Sequence, residues 1–242
     1  MNALINELQL KIEKLEHEIN FKNGLISILS HDSKEIFGNY LLLIEAVEQK
    51  TISEEDFFKL LPQIKSDAQK NLQTVQDSTA WLKTQYGEFK INPVKIMVMG
   101  LFHHLEKKYA AKLKEKNLKF HFKGDHDAFL TTDRLLLEYV LDKILNNAVK
   151  YSFPGQDIHF QYFTENNEDV ISVVDSGTGI GEKYLSAIFN YDNPVFTGTA
   201  GETGVGLSLK IVKNFVSLLH GNIKIISSEN NGTAVSIFLP KI

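Results

Sequence analysis

Isoleucine recurs at every seventh residue from the start of the chain, at Ile5, Ile12, Ile19 and Ile26, with Leu8, Leu15, Lys22 and Leu29 three residues after each. Ile at a and Leu at d is the pattern of a parallel two-stranded coiled coil, because β-branched side chains fit the a holes of a dimer and leucine fits the d holes. The repeat therefore demands both a long helix and a second copy to cover its seam. Lys22 is the one flaw in it, and the competing reading is a surface helix packed on its own domain. Carrying the register forward puts His31, in "ISILSHDSKEIFGNY", at an outward f position beside Asp32.

The helical spacing continues through Tyr40, Leu43 and Val47 and breaks at "EQKTISEED". There Ser53 is a candidate N-cap with Glu54, Glu55 and Asp56 in the first turn. A second long helix is expected from about Phe57 to Tyr86. Two such helices joined by a short turn make an antiparallel hairpin, and two hairpins paired through the coiled coil make a dimeric four-helix bundle. "GEFKINP", residues 87–93, reads as a linker.

Beyond the linker the texture changes. A helix is expected over Val94 to Lys116, then short strands at "LKFHF" and "FLTT" and a helix from Asp133 to Tyr151. Next come a hairpin from "DIHFQYF" and "DVISVVD" across "TENNE", and a short helix from Glu182 to Phe189. A Gly- and Thr-rich loop leads to a helix from Gly204 to Leu219 and two closing strands, "NIKIIS" and "TAVSIFL". Strands and helices without regular βα alternation argue for an α+β domain with helices on one face of a sheet.

Composition narrows the function. A net charge of −4 over 242 residues and a pI near 6.1 leave no basic footprint, which argues against nucleic acid and against an anionic membrane surface as partners. The absence of cysteine excludes disulfides, thiolate zinc sites and cysteine nucleophiles, and fits a reducing compartment. No run of about 18 apolar residues occurs, and "MNALINELQLKIEK" has no apolar h-region. These features predict a soluble, cytoplasmic chain that makes no membrane contact itself.

Three stretches carry chemistry. In "NNAVKYS", Asn147 offers an amide oxygen to a magnesium ion, Lys150 an ammonium to a phosphate, and Tyr151 an aromatic face to a base. In "VVDSGTGIG", a strand ends at Asp175, whose carboxylate can accept from an exocyclic amine such as that of adenine. Gly177 and Gly179 let the backbone approach a ligand; an ordinary tight turn is the competing reading. In "GETGVGLSLKIV", Gly204 and Gly206 stand before a helix, where backbone N–H groups can receive phosphates. The preceding "NYDNPVFTGTA" has the length and composition of a lid.

The order Asn147, Asp175-x-Gly177-x-Gly179, Gly204-x-Gly206-Leu207 and Gly232-Thr233 resembles the ATP-binding domain of the GHKL superfamily. With "SHD" on a dimerising hairpin upstream, nearly the whole chain resembles a sensor histidine kinase. The resemblance implies residues 1–30 as a signalling coiled coil, 24–88 as a dimerisation and histidine phosphotransfer domain, and 89–242 as an α/β-sandwich ATP-binding domain of the Bergerat type. It implies His31 as phosphoacceptor, Asp32 as its neighbouring acid, and Asn147 as the ligand of nucleotide-bound magnesium. Lys150, Tyr151, Asp175, Gly177, Gly179, Ile180, Phe189, Gly204, Gly206, Leu207 and Thr233 would contact or shape the ATP site, with Tyr191 beside Phe189 in the aromatic box. The implied activity is autophosphorylation on histidine and transfer to an aspartate of a response-regulator receiver domain. A catalytically weak nucleotide-binding scaffold is the alternative, and a GHKL protein-serine kinase a more distant one.

Three positions depart from that pattern. Lys143 stands four residues before Asn147, where these kinases usually have a second asparagine and the hydrolysing members a glutamate. Its ammonium either swings to solvent, or competes with magnesium or contacts phosphate directly. Glu35 replaces the threonine or asparagine four residues after His31, which implies weak phosphatase activity, and Ile36 replaces a proline. Among the other histidines, His103, His104, His121, His159 and His220 show no metal-ligand spacing.

Overall fold

The computed structural model describes residues 5, 8, 9, 11, 12, 19, 34, 37–85, 90–185, 187–189, 196–202 and 208–241. The chain divides into two compact units, Met1–Gly87 and Glu88–Ile242.

In the first unit, residues 37–48 form helix α1 and Glu54–Gln85 form helix α2. Between them the chain turns through Lys50 at positive φ (55°). Ser53 caps α2: its hydroxyl accepts from Asp56 N at 3.1 Å, and the three acids expected there fill the first turn. Tyr40 of α1 donates to the Ile64 carbonyl of α2 at 3.0 Å. Much of the apolar surface stays outside, with Phe37, Leu41, Leu42, Phe58 and Leu72 more than half exposed.

The second unit is α+β. Pro93–Met97 (β1) pairs antiparallel with Phe129–Asp133 (β3). Here the expected helix over Val94–Lys116 is corrected, since its first turn is strand and the helix, α3, spans Val98–Glu115. Val94 and Ile96 alternate with charged or exposed neighbours, and strand pairing to residues some 35 positions away overrides local helical spacing. Asn117, at φ 53°, stops α3, and the Leu118 N–H returns to Leu113 O at 2.8 Å.

Five strands form the main sheet in the order β2-β4-β5-β7-β6. They are Lys119–Lys123 (β2), Asp157–Glu165 (β4), Glu168–Asp175 (β5), Asn222–Ser227 (β6) and Thr233–Pro240 (β7). β2 and β4 run parallel; the other neighbours are antiparallel. The β4–β5 hairpin is tighter than "TENNE" suggested, turning on Asn166 and Asn167, both at positive φ. Ile158, Phe160, Ile171, Val173, Val235 and Ile237 fill one face of the sheet. Against them pack Arg134–Tyr151 (α4), capped by Asp133 through Leu136 N, and Ser208–Leu218 (α6) with buried Ile211 and Phe215. The helix expected to Phe189 is only Glu182–Leu185 (α5), with a turn at 187–189. Of the helix expected from Gly204, the described part begins at Ser208.

Candidate nucleotide site

The last turn of α4, the loop after β5 and the loop between β6 and β7 converge. The Thr178 N–H donates to Tyr151 O at 3.1 Å, Gly232 N to Gly177 O at 3.1 Å, and Asn230 N to Thr178 O at 2.7 Å. Such stitching needs close backbone approach. A Cβ at Gly177 would overlap the Tyr151 carbonyl, and one at Gly179, which sits at φ 63°, would overlap the Ser228 carbonyl.

Asp175 ends the central strand at the floor of this junction, only 8% exposed. Its Oδ1 accepts from Gly177 N at 2.9 Å and Thr233 N at 3.2 Å. Oδ2 accepts from no group among the described residues. Burial pushes the carboxyl up to about 6, against the two backbone hydrogen bonds that pull it down. An ionised Oδ2 can accept a hydrogen bond from an amine donor.

Thr233 also meets Ser227, whose hydroxyl lies 2.9 Å from Thr233 Oγ1, accepts from Ile180 N at 2.8 Å and donates to Gly232 O at 2.8 Å. Ser227 thus ties Ile180, Gly232 and Thr233 together. Nothing in "NIKIISS" signals that role, because all three partners come from other loops or the next strand.

At the other end, Lys150 is buried. Its ammonium donates to Phe196 O at 3.2 Å and lies 4.8 Å from the Tyr151 ring centroid. The Tyr151 hydroxyl donates to the same Phe196 oxygen at 3.1 Å, and burial, then the charge of Glu202, pushes that phenol up to about 12. Asn147, half-buried on α4, makes no side-chain hydrogen bond among the described residues. Phe189 lies under the Lys213 ammonium, 4.8 Å from ring centroid to nitrogen. The Phe196 ring meets Tyr184 edge-on, at 4.9 Å between centroids.

Lys143 does not swing to solvent. It is 6% exposed, with its ammonium 5.1 Å from the Tyr139 ring centroid one turn back on α4. The expected site residues His31, Asp32, Gly204, Gly206 and Leu207, with Tyr191, Glu35 and Ile36, lie outside the described residues. So the structure brings together Lys150, Tyr151, Asp175, Gly177, Gly179, Ile180 and Thr233, with Asn147 on the same helix as Lys150.

Among the described residues no helix is long and apolar enough to cross a membrane, and no group of three or more His, Asp or Glu is arranged to hold a metal. His121 and His159 stack at 5.3 Å on neighbouring strands, with His121 3.0 Å from Asp157.

Residues 132–242 match the family described as histidine kinase-, DNA gyrase B- and HSP90-like ATPase. The sensor protein SrrB of Staphylococcus aureus is 25% identical over 229 residues, 93% of this chain and 39% of its own length. The chain thus spans about two fifths of that relative. The Acinetobacter baumannii histidine kinase AdeS shares the fold with a TM-score of 0.69 at 16% identity, covering 87% of this chain and 98% of that one. So does the histidine kinase ThkA in its complex with the response regulator protein TrrA, with a TM-score of 0.63 at 17% identity over 100% of this chain and 64% of that one.

Proposed function

From a chain with the architecture of a histidine kinase catalytic core, we propose an ATP-dependent protein-histidine kinase that phosphorylates itself on His31 and passes the phosphoryl group to an aspartate of a response-regulator receiver domain. The observation that carries this reading is the buried Asp175 carboxylate, fixed through Oδ1 by Gly177 N and Thr233 N at a junction that the Thr178–Tyr151 backbone bond ties to the end of α4, where Lys150 lies. The family match over 132–242 supports ATP as the nucleotide, and the ThkA complex with a response regulator supports the class of partner.

Each residue has a separable task. Asp175 orients the adenine amine, while Gly177, Gly179, Ile180 and Thr233 shape the base pocket around it. Lys150 binds phosphate, Tyr151 lines the nucleotide, and Gly204, Gly206 and Leu207 receive the phosphates, with Phe189 supporting the lid. Asn147 would hold a magnesium ion, which supplies charge neutralisation to the phosphates. Asp32 accepts or orients the proton on one ring nitrogen of His31, leaving the other nucleophilic. A bond then forms between that nitrogen and the γ-phosphorus as the bond to the β–γ bridging oxygen breaks, and ADP leaves.

The heptad isoleucines support a homodimer, since Ile5, Ile12 and Ile19 are each about half exposed in the single chain, at 47%, 54% and 54%. We assign the domains as 1–30, 24–88 and 89–242 and place the protein in the cytoplasm. The buried Lys143 favours a second reading, a scaffold that binds nucleotide with little chemistry. Incubation with γ-phosphate-labelled ATP and magnesium separates the two. An acid-labile, base-stable phosphate on the chain is the expected result; ATP binding without that label would leave the scaffold.

A further inference from the structure

Lys116 lies in "LKEKNLKF", a charged run that reads as a solvated helix end, yet it is only 7% exposed. It is the C-cap residue of α3, and its own carbonyl accepts from Gly155 N at 3.0 Å. An ammonium leaves water at a large cost unless oxygen atoms replace its hydration shell. Four do so here. Nζ lies 2.9 Å from Val149 O, 2.9 Å from Lys150 O, 2.7 Å from Thr199 Oγ1 and 2.8 Å from Glu202 Oε1. The first two are last-turn carbonyls of α4, the negative end of that helix.

The other two belong to the stretch 196–202, which folds onto Lys150. The Thr199 N–H donates to Lys150 O at 3.1 Å, and the Thr199 hydroxyl lies 2.6 Å from Ser152 O. Gly198 N donates to Glu202 O at 2.7 Å, and a Cβ at Gly198 would come within 2.6 Å of Lys150 Cγ. Glu202 is fixed in turn by Ala200 N, which donates to Oε2 at 2.8 Å. Burial raises the Glu202 carboxyl, but the Lys116 ammonium and two backbone N–H groups outweigh it, so the group stays ionised at neutral pH. The Lys150 side chain therefore runs between α4 and a turn that Lys116 clamps in place.

We infer that Lys116 and Glu202 are a positioning pair: they hold the turn at 198–202 on the stem of Lys150 and so set where the Lys150 ammonium stands for a nucleotide phosphate. This rests on the proposed role of Lys150 in ATP binding. Neither residue touches the nucleotide in this account. Their effect should fall on phosphate recognition and spare the base pocket at Asp175.

The test compares binding of ATP and of adenosine, each with magnesium, to the full chain and to Lys116→Met, Lys116→Arg and Glu202→Gln, at a temperature where every variant is folded by circular dichroism. Lys116→Met is expected to weaken ATP about tenfold and leave adenosine within about twofold, as misplacing one positioned group does. Lys116→Arg should recover most of the loss, and Glu202→Gln should weaken ATP about threefold with adenosine unchanged. If Lys116→Met does not fold, Glu202→Gln decides by the same criterion, since its side chain is 36% exposed. Equal losses for both ligands, or no loss for either, would overturn the inference. A wild-type chain that binds no ATP would instead overturn the nucleotide reading on which it rests.

Discussion

The two units handle apolar surface in opposite ways. Between Glu88 and Ile242 the sheet buries Ile158, Phe160, Val173 and Ile237 to 1% exposure or less against helices of the same chain. In the first unit Phe37, Leu41, Leu42, Phe58 and Leu72 are 58% to 65% exposed, alongside the half-exposed heptad isoleucines. One unit buries its core within the chain; the other leaves large apolar side chains exposed, the surface that the proposed homodimer would cover. Binding of nucleotide and assembly should accordingly be separable by mutation.

The largest effect that would break this contrast is expected at the heptads. Replacing Ile12 and Ile19 together by Asp puts two charges at seam positions and should weaken dimerisation by about a hundredfold or more. ATP affinity should remain within about twofold. Analytical ultracentrifugation and nucleotide titration check the two halves, and a parallel loss of ATP binding would erase the distinction between the units.

Next is Asp175→Asn, which would present an amide donor or a poorer acceptor where the adenine amine is proposed to bind. A loss of about 30-fold in ATP affinity is expected from a missing charge-assisted hydrogen bond. Stability should move the other way. Because the native carboxyl is raised to about 6, its contribution to stability is full below about pH 4 and is lost as pH rises through 6. That cost reaches about 2–3 kcal/mol at neutral pH. The wild type should therefore lose thermal stability between pH 5 and 7.5 relative to Asp175→Asn, while its ATP affinity rises over the same window.

These predictions rest on residues that were legible to different degrees. The turn of Asp175, Gly177 and Gly179 could be read because strand end and turn are local, and the Ser53 cap because its partner is three residues away. β1 could not, because Val94 and Ile96 match helical spacing as well as strand alternation and only pairing with Thr132 and Leu130 decides. Lys116 was invisible for a related reason: the oxygens that make its burial tolerable lie 33 to 86 positions further along, at Val149, Lys150, Thr199 and Glu202. Parallel pairing of β2 with β4 also depends on long-range placement, through the register of Phe120 with Ile158 and its neighbours.

The smallest effect sharpens the contrast from the helical side. Ser53→Ala removes the acceptor for Asp56 N and should cost the first unit about 1 kcal/mol, roughly a fivefold shift in its unfolding equilibrium. Circular dichroism melts would register it, and ATP affinity should be unchanged.

The nucleotide domain is proposed to serve His31 of the helical unit, and labelling at that residue tests this most directly. With γ-phosphate-labelled ATP and magnesium, wild type should acquire acid-labile label, and His31→Gln should acquire none while binding ATP as wild type does. Label that persists on His31→Gln would contradict the account.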